Sequence, residues 1–222
     1  SQHAELTLEA IRGITEQPLR YVIYSHNHWD HVGGGQVFKD AGATIISHVN
    51  ARDWLLEHPN PDVAVPGEVW EGNRHDISLG GKTIELYFFG PSHGEGMTVT
   101  RFAEDRIVFL ADVVTPNRVG FGTLPDFFPA EWERTLTEIE ALDFDTAMFT
   151  HQEPFGPPSA VIQQREYIQD LRNAIFAEFQ KGTPFLEVPN VVQLPKYEDW
   201  AGYDDWLSLN AWRFLMEIAI GW

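Results

Sequence analysis

A chain of 222 residues, 43% of them hydrophobic, is long enough to bury one substantial core. Its 33 acidic residues against 15 basic ones give a formal charge of −18, a field that repels phosphate backbones and anionic lipid headgroups and so argues against nucleic acid and membrane surfaces as partners. The absence of cysteine rules out disulfides and thiolate ligands, and no apolar run approaches the roughly 18 residues of a spanning helix.

The opening Ser1-Gln2-His3-Ala4-Glu5 is polar and carries no signal-peptide pattern, which leaves cytoplasm and periplasm both open. Residues 5–16 read as a helix through Leu6, Leu8, Ala10, Ile11 and Ile14, and the β-branched and aromatic run 20–24 as a buried strand. Gly33-Gly34-Gly35 then opens a helix over 36–41, residues 43–47 give the next strand, and a helix covers 50–57. This strand, helix, strand rhythm argues for a layered α/β fold. Residues 58–76, with three prolines and two glycines, read as a loop of little regular structure. Strands follow at 83–89, 97–102 and 106–111, with turns at Gly80-Gly81 and Glu104-Asp105. Residues 115–130 form a long aromatic loop, 131–142 a helix and 145–150 a last strand. From 158 a helix carries Val161, Ile162, Ile168, Leu171, Ile175 and Phe179 as an apolar stripe until Gly182-Thr183-Pro184 ends it, and 204–220 form a final aromatic-rich helix. One catalytic domain over 1–157 is expected, with a helical extension over 158–222 packed on the same domain.

The chemistry concentrates at His26-Asn27-His28-Trp29-Asp30-His31, three imidazoles and a carboxylate within six positions. Crowding them is unfavourable unless a cation compensates. Three further ligand types stand at strand ends: His93, Asp112 and His151. His26 and His28, at i and i+2 of an extended segment, point the same way and with His93 make a three-histidine site. Asp30, His31 and His151 make a second, with Asp112 placed to bridge. Imidazole and carboxylate donors without thiolate suit Zn²⁺, two per chain, and also accommodate manganese, iron or cobalt.

The motif His26-x-His28-x-Asp30-His31, followed in order by His93, Asp112 and His151, resembles the metallo-β-lactamase superfamily over residues 20–155. That resemblance implies an αββα sandwich, a four-layer α/β architecture, with a binuclear zinc site at one edge. It implies a hydrolase in which Asp30 is catalytic, binding metal and orienting the attacking water. The expected reaction is attack on the carbonyl of an ester, lactone, thioester or amide. The family usually opens with a strand hairpin; here helix then strand precede His26, so the chain is expected to be a piece of a longer one, to have its sheet completed by another chain, or to lack that hairpin. Asp112 stands where several true β-lactamases carry cysteine or serine, and looks more like thioester and lactone hydrolases. β-Lactam hydrolysis and iron-dependent oxidoreduction on the same fold are the alternatives. His28 argues against the latter, because diiron members carry glutamate there.

Outside the ligand set, Arg118, Phe121 and Phe128 are candidate substrate contacts, Arg118 for a substrate carboxylate and the phenylalanines for an apolar pocket shared with Phe127. Trp29 is expected to pack beneath the metals, His48 to lie at the surface or behind the site, and His3, His58 and His75 to be exposed. Trp200, Tyr203, Trp206 and Trp212 read as packing or as a homodimer surface. The partner expected is a small-molecule substrate.

Overall fold

A computed structural model describes residues 2–221, which divide into two compact units, the first running through Thr100 and the second from Arg101 onward. The fold class is mixed α/β, as the element rhythm anticipates.

In the first unit, α1 (Gln2–Ile14) precedes β1 (Tyr21–Ile23), α2 (Trp29–Val32), α3 (Gly35–Asp40), β2 (Thr44–His48) and α4 (Val49–Glu57). β3 (Glu68–Trp70) completes a parallel sheet in the order β1-β2-β3, with Val22 opposite Ile45 and Ser47 opposite Val69. Alternation along central β2 sends successive side chains to opposite faces. Ile45 joins Tyr24, Val32, Leu55 and Ala64 on one face, while Ile46 joins Trp70, Ile77 and Leu86 on the other. The second cluster comes partly from a hairpin, β4 (Arg74–Leu79) and β5 (Lys82–Tyr87), laid against the parallel sheet. Gly80 and Gly81 both hold positive φ, 62° and 83°, the backbone that a two-residue hairpin turn demands.

Two expectations change here. The segment 58–76 holds β3 and the start of β4, despite its prolines. β1 is an edge strand with Val22 and Ile23 only half-buried, so the buried position belongs to β2.

β6 (Val99–Phe102) runs across the division. In the second unit the strands follow in the order β6, β7 (Ile107–Phe109), β8 (Thr146–Met148), β9 (Phe155–Gly156), with β7 and β8 parallel and β8 and β9 antiparallel. α5 (Pro129–Glu140) packs on α6 (Ser159–Gln180), and α6 and the short α7 (Val188–Val191) pack on α8 (Tyr203–Ile220). α6 buries Val161, Gln164, Tyr167, Ile168, Leu171 and Ile175, at helical spacing. Two polar residues thus sit in the stripe, while Ile162 is 39% exposed. Trp132 of α5 is buried and donates its indole N–H to Val113 O at 2.7 Å, so the bulky ring leaves no orphan donor. No helix among the described residues is long and apolar enough to cross a membrane.

Candidate metal centre

β1 ends at Ile23, and the chain then bends over residues 25–27, where an extended segment is expected from sequence, before His28, whose φ of −71° and ψ of 139° precede the single turn of α2. This geometry gathers four imidazoles of the first unit. The His26 ring lies 4.6 Å from His28, 4.5 Å from His31 and 4.9 Å from His93, centroid to centroid, and His28 lies 4.5 Å from His93. His26, His28 and His93 each offer a ring nitrogen within 4.8 Å of the others'. His93 arrives from the loop after β5, and His26 and His93 are buried.

Packing imidazoles this closely is unfavourable if they protonate together and favourable if they share a cation as neutral donors, so the donor set fits a divalent metal. Ser25 Oγ lies 3.0 Å from His26 Nδ1 and fixes the ring orientation, leaving Nε2 as the donor that can coordinate. Sequence reasoning passed over Ser25, though its position beside the first histidine is a signal it could have used. Asp30 Oδ2 stands 3.3 Å from His31 Nε2, and its side chain is 65% exposed.

In the second unit, Asp112 and His151 stand just beyond β7 and β8, neighbouring parallel strands, and this register brings them together. His151 Nε2 is 3.4 Å from Asp112 Oδ1, and the Thr150 hydroxyl donates to the same oxygen. Thr150 is another contributor that the sequence reading missed. Arg118 is half-buried in the same unit, over the rings of Phe121 and Trp206. Phe121 is 56% exposed. Phe127 is buried against Trp132 at 4.3 Å, and Phe128 lines a cavity of about 460 Å³ with Leu209, Trp212 and Met216.

Trp29 departs from expectation, and burial removes one of the two positions expected of His48. Trp29 is 51% exposed rather than packed beneath the histidines, because α2 is one turn long and turns Val32 inward instead. His48 is buried, stacked on Phe88 at 3.9 Å, and caps α4 by accepting from Asn50 N at 3.3 Å. Burial holds its pKa below the usual imidazole range, which suits a neutral cap. His3, His58 and His75 are exposed, as expected.

A family model described as the metallo-beta-lactamase superfamily matches residues 2–151. The alpha subunit of 2,4-dinitroanisole O-demethylase from Nocardioides sp. is 29% identical over 129 residues, 58% of this chain and 39% of that protein. Hydroxyacylglutathione hydrolase from Methylococcus capsulatus is 26% identical over 187 residues, 76% of this chain and 68% of the enzyme, and the one from Pelagibacter ubique aligns over 61% and 52%. The chain thus spans 39% and 52% of the first two relatives. Among solved structures, a metallo-beta-lactamase from Pontibacter korlensis superposes with a TM-score of 0.67 at 19% identity, covering 74% of this chain and 76% of that one. The stereoselective inverting sec-alkylsulfatase from Pseudomonas sp. gives 0.78 at 16% identity, covering 98% of this chain and 44% of that one.

Proposed function

Because this chain belongs to the metallo-beta-lactamase superfamily, we propose that it is a binuclear metal-dependent hydrolase, loaded with two zinc ions, that cleaves a carbonyl compound: an ester, lactone, thioester or amide. The observation that carries this reading is the gathering of His26, His28, His31 and His93 into one imidazole cluster. In the proposal His26, His28 and His93 hold one ion, Asp30, His31 and His151 the other, and Asp112 serves both. When bound, a pair of dications supplies hydroxide at neutral pH and positive charge for a developing oxyanion.

The chain's own residues do the rest. Ser25 orients His26, and Thr150 donates to Asp112, so the donors are held before a metal arrives. Asp30, beside His31 and open to solvent, orients the attacking water and accepts its proton. Catalytic domain and helical tail, 1–157 and 158–222, act together in this reading, on a small-molecule substrate. A copy-to-copy contact through the aromatic tail is compatible with it.

The test joins metal analysis to a panel of lactone, thioester, aryl ester and β-lactam substrates. Aryl methyl ether is added because the O-demethylase is among the relatives. About two zinc per chain and hydrolysis of one carbonyl class are expected. His28→Ala should lose metal and activity together, and hydrolysis that survives in His28→Ala rejects the proposal.

A further inference from the structure

Several arginines of this acidic chain pair with carboxylates: Arg74 with Asp76 and Glu85, Arg106 with Asp143 and Asp145, Arg165 with Glu140, and Arg172 with Glu133. Arg118 does not. Among the described residues its guanidinium makes one hydrogen bond, Nη2 to Thr115 Oγ1 at 3.3 Å, and its buried Nε–H has no acceptor. Its remaining neighbours are aromatic. The guanidinium carbon lies 5.8 Å from the Phe121 ring and 6.0 Å from Trp206, and these rings meet edge-on at 5.0 Å. Burial draws the Arg118 pKa down, while the nearby charge of Asp112 draws it up. A planar cation walled by rings is stripped of water on its faces, so its unspent in-plane N–H donors are strongly disposed toward an oxyanion.

The segment carrying this cation is held in place. Ala201 N donates to Asn117 O at 2.9 Å and Val119 N to Ala201 O at 3.2 Å. Asn210, fully buried on α8, donates through Nδ2 to Gly120 O and Gly122 O, each at 2.9 Å, and accepts from the Tyr167 hydroxyl at 2.7 Å. A solvated loop arginine needs no such mooring, whereas a recognition residue does, because its donors must wait in one geometry.

We propose that Arg118 selects substrates bearing an anionic oxygen group (carboxylate, sulfate or phosphate) through its in-plane N–H donors, with Phe121 and Trp206 walling the guanidinium. This deepens the hydrolase reading and rests on it: with Asp112 engaged by cations, the Arg118 charge is left for the substrate.

Two measurements test it. In the zinc-loaded protein, the Arg118 Nε–H resonance, assigned by its loss in Arg118→Lys, is followed while sodium acetate, sulfate or phosphate replaces chloride at about 0.1 M constant ionic strength, so that screening is equal in every arm. A saturable shift supports the proposal, and the strongest arm identifies the group; no arm exceeding chloride overturns it. In the zinc-loaded enzyme, two aryl esters differing only in a distal carboxylate or carboxamide are compared. The carboxylate ester is expected to lead in kcat/KM, and Arg118→Met to shrink that lead about tenfold through KM, equivalent to about 1.4 kcal/mol, with Arg118→Lys intermediate. No shrinkage of that lead in either variant, at unchanged zinc content, overturns the inference and leaves the hydrolase reading standing. If the wild type cleaves neither ester, the pair is rebuilt on the carbonyl class that the substrate panel identifies; if the panel identifies none, the hydrolase reading is what fails, and the resonance titration alone decides for Arg118.

Discussion

Replacing Asn210 with alanine should loosen the second unit by more than any other single polar truncation on α8. The side chain makes three hydrogen bonds, to Gly120 O, Gly122 O and the Tyr167 hydroxyl, of which the first and third are fully buried. Each buried polar group left without its partner costs about 1–3 kcal/mol, and the partly exposed Gly122 carbonyl falls at the low end because water can replace the amide. The sum is about 3 kcal/mol. With a urea m-value of about 2 kcal/mol/M, the unfolding midpoint should fall by about 1.5 M at unchanged m. Tyr167→Phe removes just one of the three bonds and should cost about 1 kcal/mol. The comparison is internal, so errors in the absolute scale cancel. Equilibrium urea titrations of both variants by circular dichroism decide it. If Asn210→Ala loses less than Tyr167→Phe, or stays within about 0.5 kcal/mol of wild type, the clasp on residues 120–122 is not the source of their order. Asn210→Asp adds a sign: a carboxylate aimed at two carbonyl oxygens has its folded-state pKa raised, so this variant should gain stability as pH falls from 7 toward 5.

Gly202 starts α8 at φ 76°, and a Cβ there would fall 2.2 Å from Trp206 Cε3. Gly202→Ala should therefore cost about 2 kcal/mol or more in thermal unfolding and shift Trp206 away from Arg118; a fully stable variant contradicts that packing. Chelation with EDTA should abolish hydrolysis, and zinc restored at about 100 times its Kd should return activity and about 2.7 kcal/mol of stability; a melting curve indifferent to zinc refutes the metal reading. Burial pushes the Tyr24 phenol up to about 12, and its hydroxyl donates to Ala64 O at 2.9 Å. Since the folded pKa exceeds the unfolded value of about 10, the stabilisation is complete below pH 10 and is lost as pH rises toward 12. Ultraviolet difference titration of wild type against Tyr24→Phe should show this phenol ionising well above pH 10 or only with unfolding, and ionisation near 10 rules it out.

The candidate metal-holding residues stood out in the sequence because they are concentrated: His26, His28 and His31 lie within one short segment, and the strands before Asp112 and His151 are plain apolar runs. The strand β4 was hidden because Arg74-His75-Asp76-Ile77-Ser78-Leu79 is almost all exposed, and just Ile77 turns into the core. Trp29 was misjudged for a different reason. A helix of four residues is too short for periodicity to say which side faces inward. His48 could not be separated from a surface histidine, since capping and ring stacking depend on Asn50 and on Phe88, which is distant in sequence. Arg118 was singled out by residue type alone. Its surroundings depend on Trp206, Ala201 and Asn210, far away along the chain, where no local pattern marks the contact.

The pairing of Asn117 and Val119 with Ala201 has a practical consequence for anyone exchanging loops among relatives to change selectivity. Grafting 115–130 by itself would transplant a ribbon without its seat, since the groove that receives it is written some eighty positions later. Donor segments should be moved in pairs, the ribbon together with the start of the last helix. A chimera made from the first half alone should keep the imidazole cluster of the wild type and yet discriminate poorly.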